Sequence, residues 1–427
     1  MSKKITLMTP VGVRDYNPNE MNTRNIMLNK IRNIFELYNG NEIDTSIFEY
    51  NDLLQFKYGE DEKLIFNMKD DKLSLRYDLT VPLVRYLIMN KIEKGKFFRI
   101  GKVYRCDTPV LNKARLREFY QCDFDIIGNY DLMLTDAECI SIINDILLNL
   151  EIKDFVIRIN NRKIIDSIFK LCSVPKKLFN TITSSVDKLD KHDWAYIKTE
   201  MLQKGLEEEI VDKLEEYFNN SIYLDELEKL LHTNKGNIVG IEELKKLIEY
   251  LNIYQIKSFK FDISLVRGLD YYTGTIYEVV IPGTDIGSIA AGGRYDKLIN
   301  SYNKTMNIPC VGMSIGFERI FLLCKLKEVN KCKIYIVTCG NIDIKYKLDL
   351  LRKLRSLNIG CDISYKRKAK VLDQFQYAED NNIPYCIILG EDEISKKIYK
   401  VRNTKTRVEK EIPFDKILDE IIFYLNI

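Results

Sequence analysis

The stretch FYQCDFDIIG, Phe119 to Gly128, has the two-residue period of a strand. Tyr120, Cys122, Phe124 and Ile126 fall on one face, and Gln121, Asp123 and Asp125 on the other. The first is a core face. The second lays an amide and two carboxylates along a rigid strand, and from pattern alone it reads equally as a face in water or as the wall of a pocket.

The preceding runs supply partners for that strand. FRIGKVYRC is strand-like, leads into the irregular DTPVLNKAR, and returns through Phe119–Gly128, which predicts a long-looped antiparallel hairpin. Arg105 ends its first strand, and Lys113, Arg115 and Arg117 sit in or beside its loop. Earlier, LSLRYDLT reads as a strand with Leu73, Leu75, Tyr77 and Leu79 on one face and Ser74, Arg76, Asp78 and Thr80 on the other. After Pro18, Met27, Ile31, Ile34, Phe35 and Tyr38 recur at helical spacing, and Asn39-Gly40 closes that helix.

From about 170 to 250 the texture is helical and rich in Glu and Lys, as in EEEIVDKLEEYF, so this segment reads as a helical insertion in a sheet domain. The sheet resumes with FKFDISLVRGLDYYTGTIYEVVI and AAGGRYDKLI. In VGMSIGFERIFLL a strand passes through Gly316 into a helix with Glu318 and Arg319 in its first turn. Beyond about Lys327, strands KIYIVTC, CDISY, PYCIILG and IYKVR alternate with helices KYKLDLLRKLRSLN and VLDQFQYAED before a final helix, the pattern of a small α/β domain. KRKAK, Lys366 to Lys370, reads as a solvated face or as a phosphate contact.

Composition limits the function. At 427 residues, with 46% hydrophobic and 30% charged, the chain is long enough for two or three cored domains. No run of about 20 apolar residues could cross a bilayer, and MSKKITLMTP has no apolar secretion segment, so a cytoplasmic protein with no membrane partner is expected. Ten cysteines, from Cys106 to Cys386, form no C-x-x-C pair, and His192 and His232 lie near none of them; zinc is not expected, and most cysteines read as buried thiols. Two histidines in charged helical surroundings also argue against histidine-based catalysis. A net charge of +3 neither requires nor excludes RNA.

Arg105, Arg115, Arg117, Arg267, Arg294 and Arg319 stand in polar strand settings, and guanidinium groups that converge bind phosphate or carboxylate bidentately. There is no G-x-x-x-x-G-K-[ST] loop. The order of the blocks is more specific than any one of them. FRIGKVYRCDTPVLNKARLREFYQCDFDIIG resembles motif 2 of the class II aminoacyl-tRNA synthetases, and VGMSIGFERI resembles motif 3. LVRGLDYYTG and AAGGRYDKL resemble the signature blocks of the histidyl-tRNA synthetases, and TPVGVRDYNP and GEDEI are similar to further blocks of that family. RYDLT and SSVDKLDK resemble its eukaryotic members.

The resemblance implies an α+β fold: an antiparallel sheet flanked by helices and carrying the helical insertion, in a catalytic core over 1–326, then an α/β anticodon-binding domain over 327–427. It implies ATP-dependent ligation of L-histidine to histidine tRNA through a histidyl-adenylate, by a homodimer, with Mg2+ carried by ATP and no protein-bound metal. The implied histidine-binding residues are Asp78, Leu79, Thr80, Arg105, Gln121, Asp125, Arg267, Tyr271, Tyr272 and Tyr295. Asp78, Thr80 and Gln121 match binders of the α-amino group, Asp125 the contact to the imidazole, and Tyr272 and Tyr295 the aromatic residues that close on the ring. ATP falls to Arg105, Arg115, Glu118 and Arg319, with Arg105 and Arg267 in the catalytic roles.

Three places depart from the family pattern. Ser46 stands where motif 1 has proline at the dimer interface, Ala114 where glycine is common, and Val11 and Val13 where eukaryotic members have Lys and Thr. The competing readings are a non-catalytic histidine sensor and a generic nucleotide-binding protein. Sensors of this kind tend to lose the motif arginines, the RGLDYYT block or the anticodon domain, all retained here; a generic nucleotide-binding protein leaves the ordered blocks unexplained.

Overall fold

The strand that contains Tyr120 to Ile126 lies within the larger sheet of the first of two compact units, Met1–Leu326 and Lys327–Ile427. The computed structural model describes residues 7–58, 63–69, 72–190, 192–218, 222–266, 271–324, 331–366 and 369–425. Strands of the first unit are β1 (Asn41–Glu42), β2 (Phe48–Tyr50), β3 (Leu73–Leu75), β4 (Gly95–Tyr104), β5 (Glu118–Ile127), β6 (Val156–Asn161), β7 (Phe259–Phe261), β8 (Thr275–Val280), β9 (Ala290–Arg294) and β10 (Cys310–Gly316). Eight of them form one sheet in the order β1-β4-β5-β10-β9-β8-β6-β7, antiparallel except where β1 joins β4 and β6 joins β7. β2 and β3 pair separately.

Helices α1 (Pro18–Leu37), α2 (Asn51–Tyr58), α3 (Thr80–Asn90) and α4 (Leu134–Asn149) precede the insertion. α1 starts on a capping box, in which Asn17 Oδ1 accepts from Glu20 N and Glu20 returns a bond to Asn17 N. It buries Met27, Ile31 and Phe35 against the apolar face of the hairpin; the Phe35 ring lies 5.2 Å from Phe98 and 5.4 Å from Phe124. Each such side chain contributes about 1.5–3 kcal/mol when fully buried. The chain leaves α1 through Asn39, at φ 60°, and Gly40, where a Cβ would stand 2.5 Å from the Phe124 ring. α4 packs on the same side of the sheet. That layer fixes which way the other face of β5 looks.

The insertion runs from α5 (Arg162–Leu171) through α6 (Phe179–Val186), α7 (Trp194–Gln203), α8 (Glu208–Phe218) and α9 (Leu224–Thr233) to α10 (Val239–Ile253), with an apolar interior continuous with the sheet's core. α11 (Leu298–Tyr302) and α12 (Phe317–Leu323) complete the unit. Both histidines are exposed, His192 stacked on Tyr196 at 4.1 Å. Among the described residues no helix is long and apolar enough to cross a membrane, and no cluster suited to a metal ion occurs. All ten cysteines are free thiols, and Cys122, Cys139, Cys172, Cys310, Cys361 and Cys386 are buried.

The second unit has β11 (Ile334–Thr338), α13 (Ile344–Ser356), β12 (Cys361–Ile363), α14 (Val371–Asp380), β13 (Tyr385–Leu389), α15 (Glu391–Lys396), β14 (Ile398–Asn403), β15 (Glu409–Pro413) and α16 (Ile417–Leu425). Its sheet runs β12-β11-β13-β14-β15. Two elements there are absent from the sequence reading. GEDEI opens the six-residue helix α15, too short to show a period, and β15, EKEIP, is an edge strand that buries only Ile412. Charge on an edge strand deters pairing with other chains, and here it also hides the strand.

Glu318 ties α1, β5 and α12 together away from solvent. It accepts from both terminal nitrogens of Arg24, from Tyr16 Oη at 2.9 Å and from Tyr120 N at 3.2 Å, and the Arg24 guanidinium lies 3.8 Å over the Tyr16 ring. Removing one partner of a buried pair strands the other charge, at about 3–5 kcal/mol. Arg24→Met is therefore expected to lower the urea midpoint followed by Trp194, the single tryptophan and itself in this core. Adding Glu318→Gln should recover part of the loss; a single variant that unfolds with the wild type contradicts the assignment.

Candidate active site

Antiparallel register turns the alternation of β5 into rows across the sheet. Arg158, Glu278, Ala291, Ser314, Asp123 and Arg99 stand opposite one another on β6, β8, β9, β10, β5 and β4. The next row is Asn160, Ile276, Gly293, Gly312, Asp125 and Phe97. On the far side of the Asp123 row, Gln121 faces Gly316 and Gly101. Rows on one face lie about 6.7 Å apart, the reach of one small molecule. This face is not in water: Asp123 and Asp125 are each 3% exposed.

Asp125 fills the space that Gly312 leaves, since a Cβ there would stand 1.8 Å from its Oδ1. Tyr295 Oη donates to Oδ1 and Arg99 Nη2 to Oδ2. Tyr272 lies over Gly293, where a Cβ would meet its ring at 2.8 Å. Tyr271 is 5.1 Å from Tyr272 and 5.7 Å from Tyr295 between ring centres. These phenols are held neutral, first by burial and then by carboxylates that include Asp125. The result is an aromatic slot with a carboxylate at its end.

LSLRYDLT is not one strand. Pairing stops at Leu75, and α3 starts at Thr80, with Asp78 Oδ1 accepting from Thr80 N at 3.0 Å and Val81 N at 3.1 Å. A carboxylate at a helix start satisfies amides that have no partner within the helix. Asp78, Leu79 and Thr80 therefore reach the slot from a turn, and Leu79 O accepts from Arg99 Nη1 at 2.8 Å. Gln121 Nε2 donates to Ser314 Oγ at 3.1 Å, while its buried Oε1 has no hydrogen-bond partner among the described residues.

The arginines divide. Arg105 donates Nε to Tyr77 O at 3.2 Å and lies 4.2 Å over the Tyr77 ring, which leaves the end of its fork unused by that bond. Arg115 is exposed and paired with Asp107 at 2.5 Å; Glu118 pairs with Lys102 at 2.7 Å. Arg319 donates to Ser288 O beside Gly287. Arg294 does not join the set: it faces Val311 on the opposite side of β9 and is committed to the buried Asp136, with Asp296 at 3.2 Å. It fastens α4 to the sheet. Arg117 donates to Asp107 O at 2.9 Å and serves the loop. Arg267 with 268–270, and Arg367 and Lys368 of KRKAK, lie outside the described residues.

Arg158 and Asn160 prepare the segment before Arg267. Arg158 donates to Asp262 at 2.8 Å, Glu278 at 3.1 Å and Ser264 at 3.1 Å, and Asn160 Nδ2 holds Ile263 O at 3.2 Å and Leu265 O at 2.9 Å. No sequence motif marks these two residues or Arg99. For Arg99 the signal was present, a lone arginine in the apolar run KFFRIG. Ala114, in the hairpin loop, takes φ 48°, a region that glycine enters without penalty.

An antiparallel sheet of this order, with arginines at the ends of its hairpin and of its last strand, is the class II aminoacyl-tRNA synthetase fold. The family model described as histidyl-tRNA synthetase matches residues 12–320, and that of the anticodon binding domain matches 333–423. The chain is 41% identical to the histidine–tRNA ligase of Danio rerio over 97% of this chain and 88% of that protein. It is 39% identical to the mitochondrial histidine–tRNA ligase of Bos taurus, with the same coverage. A histidyl-tRNA synthetase structure from Nostoc sp. PCC 7120 superposes with a TM-score of 0.83 at 27% identity, over 98% of this chain and 99% of that one. The chain belongs to the histidyl-tRNA synthetase family.

Desolvation pushes the Asp123 carboxyl up to about 7, against the pull of Arg99 and with Asp125 pushing the same way. Its folded pKa stands above the ordinary 3.8, so the folded state holds the extra proton and stability falls as pH rises from about 4 to 7. Asp123→Asn removes that term. The melting temperature of the variant relative to wild type is expected to rise from pH 5 to pH 8; a difference that does not change with pH counts against this environment for Asp123.

Proposed function

We propose that this chain ligates L-histidine to histidine tRNA in two steps. The histidine carboxylate attacks the α-phosphorus of ATP in line and pyrophosphate leaves; a ribose hydroxyl at the 3′ end of the tRNA then takes histidine from the adenylate and AMP leaves. Positioning and charge stabilisation carry most of such chemistry. The observation that carries the reading is the buried polar face of β5 under Tyr272 and Tyr295.

In this reading Asp78, Thr80 and Gln121 take the substrate ammonium, with the unsatisfied Gln121 Oε1 as one acceptor, and Asp125 takes an imidazole N–H. Tyr271, Tyr272, Tyr295 and Leu79 wall the slot. Arg105 holds the α-phosphate, Arg319 the terminal phosphates, and Arg115 and Glu118 the rest of ATP, which brings Mg2+ on its β and γ phosphates. Arg267 lies between the histidine carboxylate and the α-phosphate. A site built to hydrogen-bond its substrate rejects analogues lacking the group by roughly 10⁴-fold or more, so no editing domain is needed.

Residues 1–326 form the catalytic core in this reading, and 327–427 read the anticodon. The working form is a homodimer, with Ser46 bonded through Oγ to Phe48 N at 3.1 Å in place of a proline. The cytosol suits ten free thiols, although relatives named cytoplasmic and mitochondrial both match. A Bacillus halodurans chain titled ATP phosphoribosyltransferase regulatory subunit/histidyl-tRNA synthetase shares the fold at 18% identity and TM-score 0.72, so the fold does not separate enzyme from sensor. The arginines favour the enzyme.

Purified protein without tRNA is expected to exchange labelled pyrophosphate into ATP with histidine and with no other amino acid. Binding of histidine without exchange supports the sensor. Arg267→Ala should lower exchange by about 10²-fold or more while leaving the melting temperature unchanged, the loss typical of a group that stabilises transition-state charge; near-normal exchange removes Arg267 from the mechanism.

A further inference from the structure

Arg99 is 2% exposed and reaches both ends of the slot. Nη1 donates to Leu79 O at 2.8 Å, within the turn Asp78–Thr80, and Nη2 donates to Asp125 Oδ2. Asp123 stands directly opposite it in the hairpin register. Asp125 is thus fixed from two sides, by Arg99 on one oxygen and Tyr295 on the other, and seated on Gly312.

We propose that Arg99 is a positioning residue that sets amino-acid specificity. Its planar fork spaces the ammonium-binding turn from Asp125, and its charge keeps Asp125 an acceptor, so that the slot takes an uncharged imidazole at a fixed distance from an α-amino group. The inference rests on the function proposed above and adds to it a residue that touches no substrate.

The charges around Asp125 support the assignment. The titratable groups that feel its charge are Asp123 on its own strand, Asp78 from the turn before α3, Arg99 on β4, the Tyr271 and Tyr272 phenols ahead of β8, Tyr295 after β9, the Cys310 thiol of β10 and, from the other side of the sheet, the Cys139 thiol of α4. The phenols and thiols are neutral, which leaves three carboxyl groups, Asp78, Asp123 and Asp125, and one guanidinium. Burial raises the Asp125 carboxyl, and Arg99 and the Tyr295 hydroxyl pull it down. Without the guanidinium only the Tyr295 hydroxyl is left to oppose desolvation, and Asp125 is protonated more readily than in the wild type. A protonated carboxyl gives up an acceptor site, and the substrate N–H is left unpaired.

The test is histidine-dependent pyrophosphate exchange measured from pH 6.5 to 9. For Arg99→Met we expect KM for histidine to rise at least tenfold at pH 7, with kcat and KM for ATP changed no more than about twofold. That KM defect should shrink toward pH 9 as Asp125 ionises. Arg99→Lys keeps the charge but loses the fork, so its KM for histidine should rise by a factor that does not depend on pH. It is also the variant to read if Arg99→Met does not fold. An unchanged KM in both Arg99 variants, or a defect in Arg99→Met that is the same at every pH, overturns the inference. A pH-dependent defect in Arg99→Lys overturns it as well. Wild-type protein that exchanges with another amino acid, or with none, defeats the function itself; wild type that exchanges with histidine beside an unaffected Arg99→Met defeats only the role of Arg99.

Discussion

Asp123 and Asp125 are carboxylates on a strand whose other face is solid hydrocarbon, and the rest of the first unit depends on keeping them out of water without leaving them unpaired. An isolated ionised carboxylate in such a place is prohibitive. The register of β4 against β5 sets Arg99 opposite Asp123, the register of β10 sets Gly312 opposite Asp125, and the turn after β9 delivers the Tyr295 hydroxyl. None of these is adjustable alone. A shift of one residue in any strand would carry its polar set into the layer of Phe35, Phe98 and Phe124.

The apolar side is held as firmly, by a different device. Glu318 is buried among Arg24, Tyr16 and Tyr120, one residue before Arg319 on the first turn of α12. Successive residues on a helix point about 100° apart, so one looks into the core and the next toward the site. Fixing Glu318 therefore fixes the direction from which Arg319 approaches. Arg158 and Asn160 treat the Asp262–Leu265 segment in the same way, with β6 as the anchor.

Much of the fold was legible because strong periods lay in long elements: α1 with its cap and its Asn-Gly exit, the faces of β5, the strand-to-helix passage at Gly316, and the alternation beyond residue 327. The failures have local causes. LSLRYDLT carries too few residues to distinguish a two-residue from a 3.6-residue period, and the Asp78 cap decided the matter. α15 and β15 are short and charged. In the site, strand alternation offers Gln121 and Asp125 as the wall of a pocket or as a face in water, and the resemblance adds Asp78 and the tyrosines; neither separates an arginine that is free to meet a ligand from one already spent. Arg294 belongs to Asp136, and only parity on β9, two strands away from β5, reveals it. Arg99 is the converse case: a single arginine in an apolar strand signals a buried partner, but only the pairing of β4 with β5 shows that the partner is a carboxylate.

The glycines under the slot limit what mutation can do to this molecule. Gly293 and Gly312 are already the smallest residues a floor can have, and the Tyr272 ring and the Asp125 carboxylate rest on them at contact distance. The floor can be raised by substitution but never lowered. Any change in the space above them must then come from the walls, where Asp125 shares its oxygens with Arg99 and Tyr295, and Tyr271 packs against Tyr272 and Tyr295. Under the proposed function, room for a larger amino acid would require several of these side chains to change together, because each is held by the others.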